Sequence, residues 1–192
     1  MSKNEGKIFE QQFQKSCEKQ DICCIRLVDS NKFNFGEGTR FTPDNICDFI
    51  CFDGEKLLLV ELKHTKGTSI SFNQPPTEKG DGTYMIKPKQ VKNLLKHTEF
   101  LNVLPILILD YADRENSKGD IIEGGTYAIH INTFVDWCNA VAKKSINQED
   151  CKIIGTKVER SKKKVNYTYD IKKLINDIGW CYEKAYFVYI TA

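Results

Sequence analysis

The stretch NICDFICFDGEKLLLVELKHTKG, from Asn45 to Gly67, limits the possible folds more than any other part of the chain. Two apolar runs flank a short turn. Neither alternates with polar residues, so both faces of each strand must be covered. Asp48, Glu61 and Lys63 nevertheless sit inside these runs. An unpaired buried charge is very costly. These groups must therefore be paired, hold a metal, or open to a cleft.

The turn sets the register. A two-residue loop at Gly54-Glu55, with glycine supplying the positive φ, places Asp53 across from Lys56. Asp48 then lies opposite Glu61, with Cβ atoms ~4.5–5.5 Å apart. Side chains alternate along a strand, so Glu61 and Lys63 share a face. Two carboxylates this close repel, and one stays protonated unless a cation intervenes. A hard divalent ion bound by carboxylate oxygens resolves the conflict. The alternative is an internal salt bridge from Lys63 to Glu61 or Asp48 at a sheet end. Ile46, Ile50, Leu57 and Leu59 share the face, and that apolar setting favours a cleft over a surface bridge. Asp44 follows Pro43 in a turn-like context. It falls some 13 Å along the strand from Asp48 at ~3.3 Å per residue, so it is assigned to the turn and Asp48 to the metal.

The rest of the chain reads as α/β. NEGKIFEQQFQKSC carries Ile8, Phe9, Phe13 and Cys17 at helical spacing, predicting a helix over about 4–20. ICCIRLVD is a short strand, and TSISF starts another. NQPPTEKGDG is an irregular loop, and TYMI is a strand piece. Pro88 opens a helix whose stripe is Val91, Leu94 and Leu95. VLPILILDY and TYAIHI are strands. Asn132 or Thr133 caps a helix carrying Phe134, Val135 and Cys138. NQEDCKII is a short helix that Gly155 can end, and YDIKKLINDI is a last helix.

Composition matters mainly through its distribution. The 192 residues suit one domain, and the net charge of +2 does not by itself mark a nucleic-acid binder. Lys152 to Lys164, however, holds six basic residues and one acid. That run is either a solvated loop or a phosphate-contacting patch. Eight cysteines without a CxxC pair, beside three histidines, support a zinc site poorly. Cys47 and Cys51 read as small core hydrophobes. No apolar run approaches the ~20 residues of a membrane span, and the polar N-terminus does not read as a signal peptide. Free thiols in a reducing cytoplasm are expected.

Asp48, then a turn, then Glu61-Leu62-Lys63 resembles the PD-(D/E)xK nuclease signature. More of the chain fits one branch of it. GKIFEQQF, CDFICF…LVELKHTKGTSISF, KPKQVKNLLKH, TYAIHINTFVDWCN and KSINQEDCKIIG resemble, in order, segments of the RecU-type Holliday junction resolvases. The likeness covers roughly Glu5 to Ile171. Lys89 stands where that family has a histidine.

The resemblance implies a restriction-endonuclease-like mixed sheet flanked by helices. It implies a single nuclease domain over 1–192, with a core of about 4–145 and a basic, helical appendage of about 146–192. The implied activity is metal-dependent cutting of four-way DNA junctions by a homodimer in a bacterial or phage-infected cell. Mg²⁺, or Mn²⁺, is held by Asp48, Glu61 and the Leu62 carbonyl. Lys63 orients water or stabilises the phosphorane, and Glu10 and Gln90 assist. Thr65, Lys66, Ser71, Lys87, Lys89, Arg160, Lys162, Lys163 and Lys164 are the candidate DNA contacts. Two alternatives stand beside this reading: a nuclease of the same superfamily with another DNA substrate, and a non-catalytic DNA-binding recombination factor.

Overall fold

A computed structural model describes residues 5–27 and 45–178. Within it, α1 (Glu5–Glu18) leads into β1 (Cys23–Arg26), followed by β2 (Phe49–Phe52) and β3 (Leu57–Thr65). After β4 (Ser69–Ser71) come α2 (Pro88–Leu95) and β5 (Val103–Tyr111). The short β6 (Arg114–Glu115) and β7 (Ile121–Ile122) precede β8 (Gly125–His130) and α3 (Ile131–Ala140). Then follow β9 (Ser145–Asn147), α4 (Gln148–Ile154), β10 (Thr156–Lys157), β11 (Arg160–Lys163) and β12 (Asn166–Tyr169). Residues 171–178 are helical.

Six strands form the main sheet in the order β1-β2-β3-β5-β8-β10. Only β3 and β5 run parallel; the other neighbours are antiparallel. Helices cover both faces, as the near-continuous apolar runs of β3 and β5 require. Pro105 is tolerated inside a central strand because the ladder to β8 begins only at Ile106. On one face Leu58, Val60 and Leu62 pack with Phe9 and Phe13 of α1 and with Ile171, Leu174 and Ile175. On the other, Leu59, Leu107 and Leu109 pack with Val91 and Leu94 of α2 and Phe134 of α3.

The hairpin has the register its turn predicts: Phe49↔Val60, Ile50↔Leu59, Cys51↔Leu58 and Phe52↔Leu57. Gly54 takes φ 108°, and Asp53 Oδ1 accepts the Glu55 and Lys56 amides at 2.9 and 2.7 Å. Strand β2 is shorter than expected. Its ladder stops at Phe49, because the Asp48 amide donates to the Val60 carbonyl at 3.0 Å instead.

The strand expected at TSISF is present as β4, which pairs with β9 in a separate ribbon. Three local expectations need correction. TYMI makes only an isolated bridge, Phe72↔Ile86. Helix α3 starts at Ile131 with His130 as its cap, because the His130 side chain accepts the Asn132 amide. The basic stretch is not a loop but the β11–β12 hairpin, turning at Lys164 with φ 59°. Its partner strand carries alternating Tyr167 and Tyr169, and the Tyr169 side chain is buried against α1.

Among the described residues, no helix is long and apolar enough to cross a membrane.

Candidate functional site

Asp48 is fixed from three directions. Its carbonyl accepts the Leu27 amide at 2.8 Å, its amide donates to Val60, and its Oδ2 accepts the Leu62 amide at 2.8 Å. The carboxylate thus takes the place of a backbone carbonyl on the β2 side, accepting an amide of β3 directly beside Glu61. Such placement is expected of a side chain at the end of a ladder that needs an acceptor for the next strand's N–H.

Glu61 lies on the α2 side of the sheet and is almost fully buried, with 1% of its surface exposed. Lys63 Nζ sits 2.6 Å from its Oε1. Gln90 Nε2 donates to the same oxygen. Gln90 is itself clamped: its Oε1 accepts the Lys87 amide at 2.9 Å, so the glutamine caps α2 with one end and holds Glu61 with the other. Pro88 at the first helical position makes that geometry possible, since it removes a donor the helix start would leave unused.

Burial is the first cause of an upward shift in the Glu61 carboxyl, from 4.5 to about 7. Lys63 opposes that shift, and the neighbouring Asp48 carboxylate reinforces it. One lysine therefore faces two acids. A pair of carboxylates in an apolar setting with one negative charge in excess is a donor set suited to a hard divalent cation. The salt bridge anticipated from sequence is present, but it leaves that excess charge in place.

Other candidate residues lie apart from this cluster. Glu10, on α1, pairs with Arg26 on the opposite side of the sheet. Lys66 pairs with Glu5. Thr65 Oγ1 accepts the Gly67 amide at 2.9 Å, and Ser71 Oγ accepts the Met85 amide at 3.1 Å, as small hydroxyls near turns do. Lys87 and Lys89 are exposed at the start of α2, beside Gln90. Asp44 lies outside the described residues.

The basic run divides in two. Arg160 is turned inward, its side chain 9% exposed, and binds Asp110 at 3.0 Å and Asp113 at 3.2 Å. Lys162 binds Asp113 at 2.9 Å and lies over the Tyr167 ring. Arg160 is thereby a structural partner of β5 and the chain just after it, whereas the Lys162 side chain stays half exposed beside Asp113. Lys163 and Lys164 remain exposed.

Sequence reasoning missed the network that Arg160 joins. His64 Nδ1 and Asp110 Oδ2 are 2.7 Å apart, and Thr126 donates to Asp110 Oδ1 at 2.5 Å. A cleft of about 310 Å³ beside it is lined by Phe9, His64, Asp110, Arg160, Lys162 and Tyr167. The signal was an acid at the end of the apolar run VLPILILDY. In the parallel ladder that acid falls opposite His64.

The chain is 33% identical over 187 residues to the SPbeta prophage-derived uncharacterized protein YotM of Bacillus subtilis, covering 91% of this chain and 87% of that protein. The chain belongs to the YotM family. No family model matches the sequence. Among solved structures, the Holliday junction resolvase Hjc of Archaeoglobus fulgidus superposes with a TM-score of 0.48 at 12% identity, over 79% of this chain and 95% of Hjc. The functional reading of this family member rests on its own residues.

Proposed function

We propose that the chain is a divalent-metal-dependent endodeoxyribonuclease of PD-(D/E)xK type that cuts four-way DNA junctions. The observation that carries this reading is the arrangement of Asp48, Glu61, Lys63 and Gln90. Two carboxylates adjoin in a buried setting, and a lysine and a glutamine amide share one carboxylate oxygen. The collinear resemblance to RecU-type resolvases supplies the substrate class.

Asp48, Glu61 and the Leu62 carbonyl are the residues that would hold Mg²⁺ or Mn²⁺, which there supplies Lewis acidity and a bound water of lowered pKa. Asp48 is held ready by the Leu62 amide. Glu61 becomes a full anion only as pH rises through about 7, so metal affinity rises over the same range. Lys63 is a mobile donor that can leave Glu61 Oε1 for a phosphate oxygen as charge develops there. Gln90, pinned at the α2 cap, can turn its amide to a non-bridging phosphate oxygen or keep Glu61 in place. Exposed Lys66, Lys87, Lys89, Lys163 and Lys164, with Thr65 and Ser71, are proposed to position the DNA backbone without reading sequence. Two symmetric cuts across a junction need two sites related by a twofold axis, so the working form is a homodimer. Its place of work is the cytoplasm of a bacterial or phage-infected cell.

The test compares a labelled four-way junction with a linear duplex of the same sequence, each with Mg²⁺ and with chelator. Paired nicks in the junction alone, dependent on Mg²⁺, are expected. Equal cutting of both substrates would assign a different DNA substrate to the same chemistry. Tight junction binding without any nick would make the protein a binding factor.

A further inference from the structure

Three thiols from separate elements meet in the core below α1. Cys17 ends α1, Cys24 lies in β1 and Cys51 in β2, and their sulfur atoms all lie within 4.8 Å of one another. Cys24 Sγ and Cys51 Sγ are 3.5 Å apart.

The backbone builds this meeting. Cys24 is the register partner of Cys51. The Leu27 amide donates to the Asp48 carbonyl, which continues the same register and marks that pair as hydrogen-bonded. Counting back by alternation, Cys24 and Cys51 form a non-hydrogen-bonded pair, where cross-strand side chains approach most closely. Cys17 is fixed by the turn after α1, because its carbonyl accepts the amides of both Gln20 and Ile22 at 3.0 Å.

Plain core packing does not require this contact. Cys47, Cys138 and Cys151 show what an ordinary buried cysteine does in this fold: among the described residues none of them joins a thiol cluster, and burial pushes each up to about 12. In the cluster the three thiols instead face one another, with Cys24 Sγ in hydrogen-bond contact with Cys51 Sγ.

We propose that Cys17, Cys24 and Cys51 form a binding site for one thiophilic closed-shell cation, zinc(II) being the ordinary representative. A bond of about 2.3 Å to each sulfur sets the sulfurs of a three-thiolate face roughly 3.8 Å apart, which the cluster meets with small side-chain adjustments. Binding releases the thiol protons. The surrounding core is apolar, so the fourth position falls to water on the half-buried Cys24 side. β1 is the edge strand of the sheet, which gives the ion a way in. The bound ion ties α1, β1 and β2 together at the strand that leaves Asp48. It is distinct from the carboxylate site in both position and ligand chemistry, because thiolates select soft ions and carboxylates select hard ones.

The test uses the full chain, reduced with a phosphine and stripped of metal, titrated with Co²⁺ as the probe. One equivalent is expected to bring up a near-ultraviolet thiolate-to-cobalt band with tetrahedral visible bands, and Zn²⁺ to bleach both. Cobalt on Asp48 and Glu61 has oxygen ligands and gives no sulfur band, so the outcome is independent of the nuclease reading. Cys24→Ser, at the half-buried position where the fold tolerates it, should weaken or remove the sulfur band while its melting transition persists. Cys138→Ser, in the other core, should leave the band unchanged. No sulfur band in the native protein, or an undiminished one in Cys24→Ser, overturns the proposal.

Discussion

Strand β3 ends in two charged clusters, one on each face, and they are built in opposite ways. On the α1 face, His64, Asp110, Asp113, Arg160 and Lys162 pair off: two carboxylates meet two permanent cations, with a threonine and a histidine completing the hydrogen bonds. Asp113 is correspondingly pulled down to about 2, chiefly by the Lys162 hydrogen bond. On the α2 face, Lys63 is the one cation that Asp48 and Glu61 meet among the described residues, and Glu61 is pushed up to about 7. Buried charge alone therefore does not mark a candidate site. The distinguishing feature is charge left uncompensated by the fold, which a cation can complete.

The largest effect in this comparison should come from the balanced side. Arg160→Ala leaves Asp110 buried without its cation, and breaking such a pair costs about 3–5 kcal/mol. Urea unfolding should report that loss at neutral pH. A loss close to zero would mean that the network is solvated and that Arg160 was free for other work.

On the α2 face the sign reverses. The folded-state pKa of Glu61 lies above its ordinary 4.5, so its contribution to stability is full below that value and is lost as pH rises through about 7. Glu61→Gln cannot ionise. Without metal it should be more stable than the native chain above pH 7, by on the order of 3 kcal/mol, and the two should converge near pH 4.5. Denaturation midpoints across that range in chelator measure it. A variant less stable than native at pH 8 would mean that Lys63 already compensates Glu61 in full.

Much of the α2-face site was legible in the sequence, because it depends on a local hairpin. Gly54 fixed the turn, the turn fixed the register, and alternation put Glu61 and Lys63 on one face. Gln90 could be placed only by resemblance, since its contact with Glu61 spans two elements whose packing no local pattern encodes. The α1-face cluster was harder still. His64 and Asp110 meet through a parallel ladder, which no turn dictates, and Arg160 arrives from a hairpin that looked like a basic loop. Its alternation of lysines with solvent on one side and tyrosines on the partner strand hid a strand pair behind a charge run. The three clustered cysteines escaped for the same reason: their spacing in sequence matches no metal motif, and only the β1–β2 register brings Cys24 to Cys51.

The most direct test of the contrast between the two faces is single-turnover cleavage of a four-way junction in Mg²⁺ by Glu61→Gln and Asp113→Asn beside the native chain. The account predicts that Glu61→Gln is folded, binds the junction and does not cut it, whereas Asp113→Asn cuts at the native rate and is only less stable. Native-rate cutting by Glu61→Gln, or loss of cutting in a folded Asp113→Asn, would contradict it.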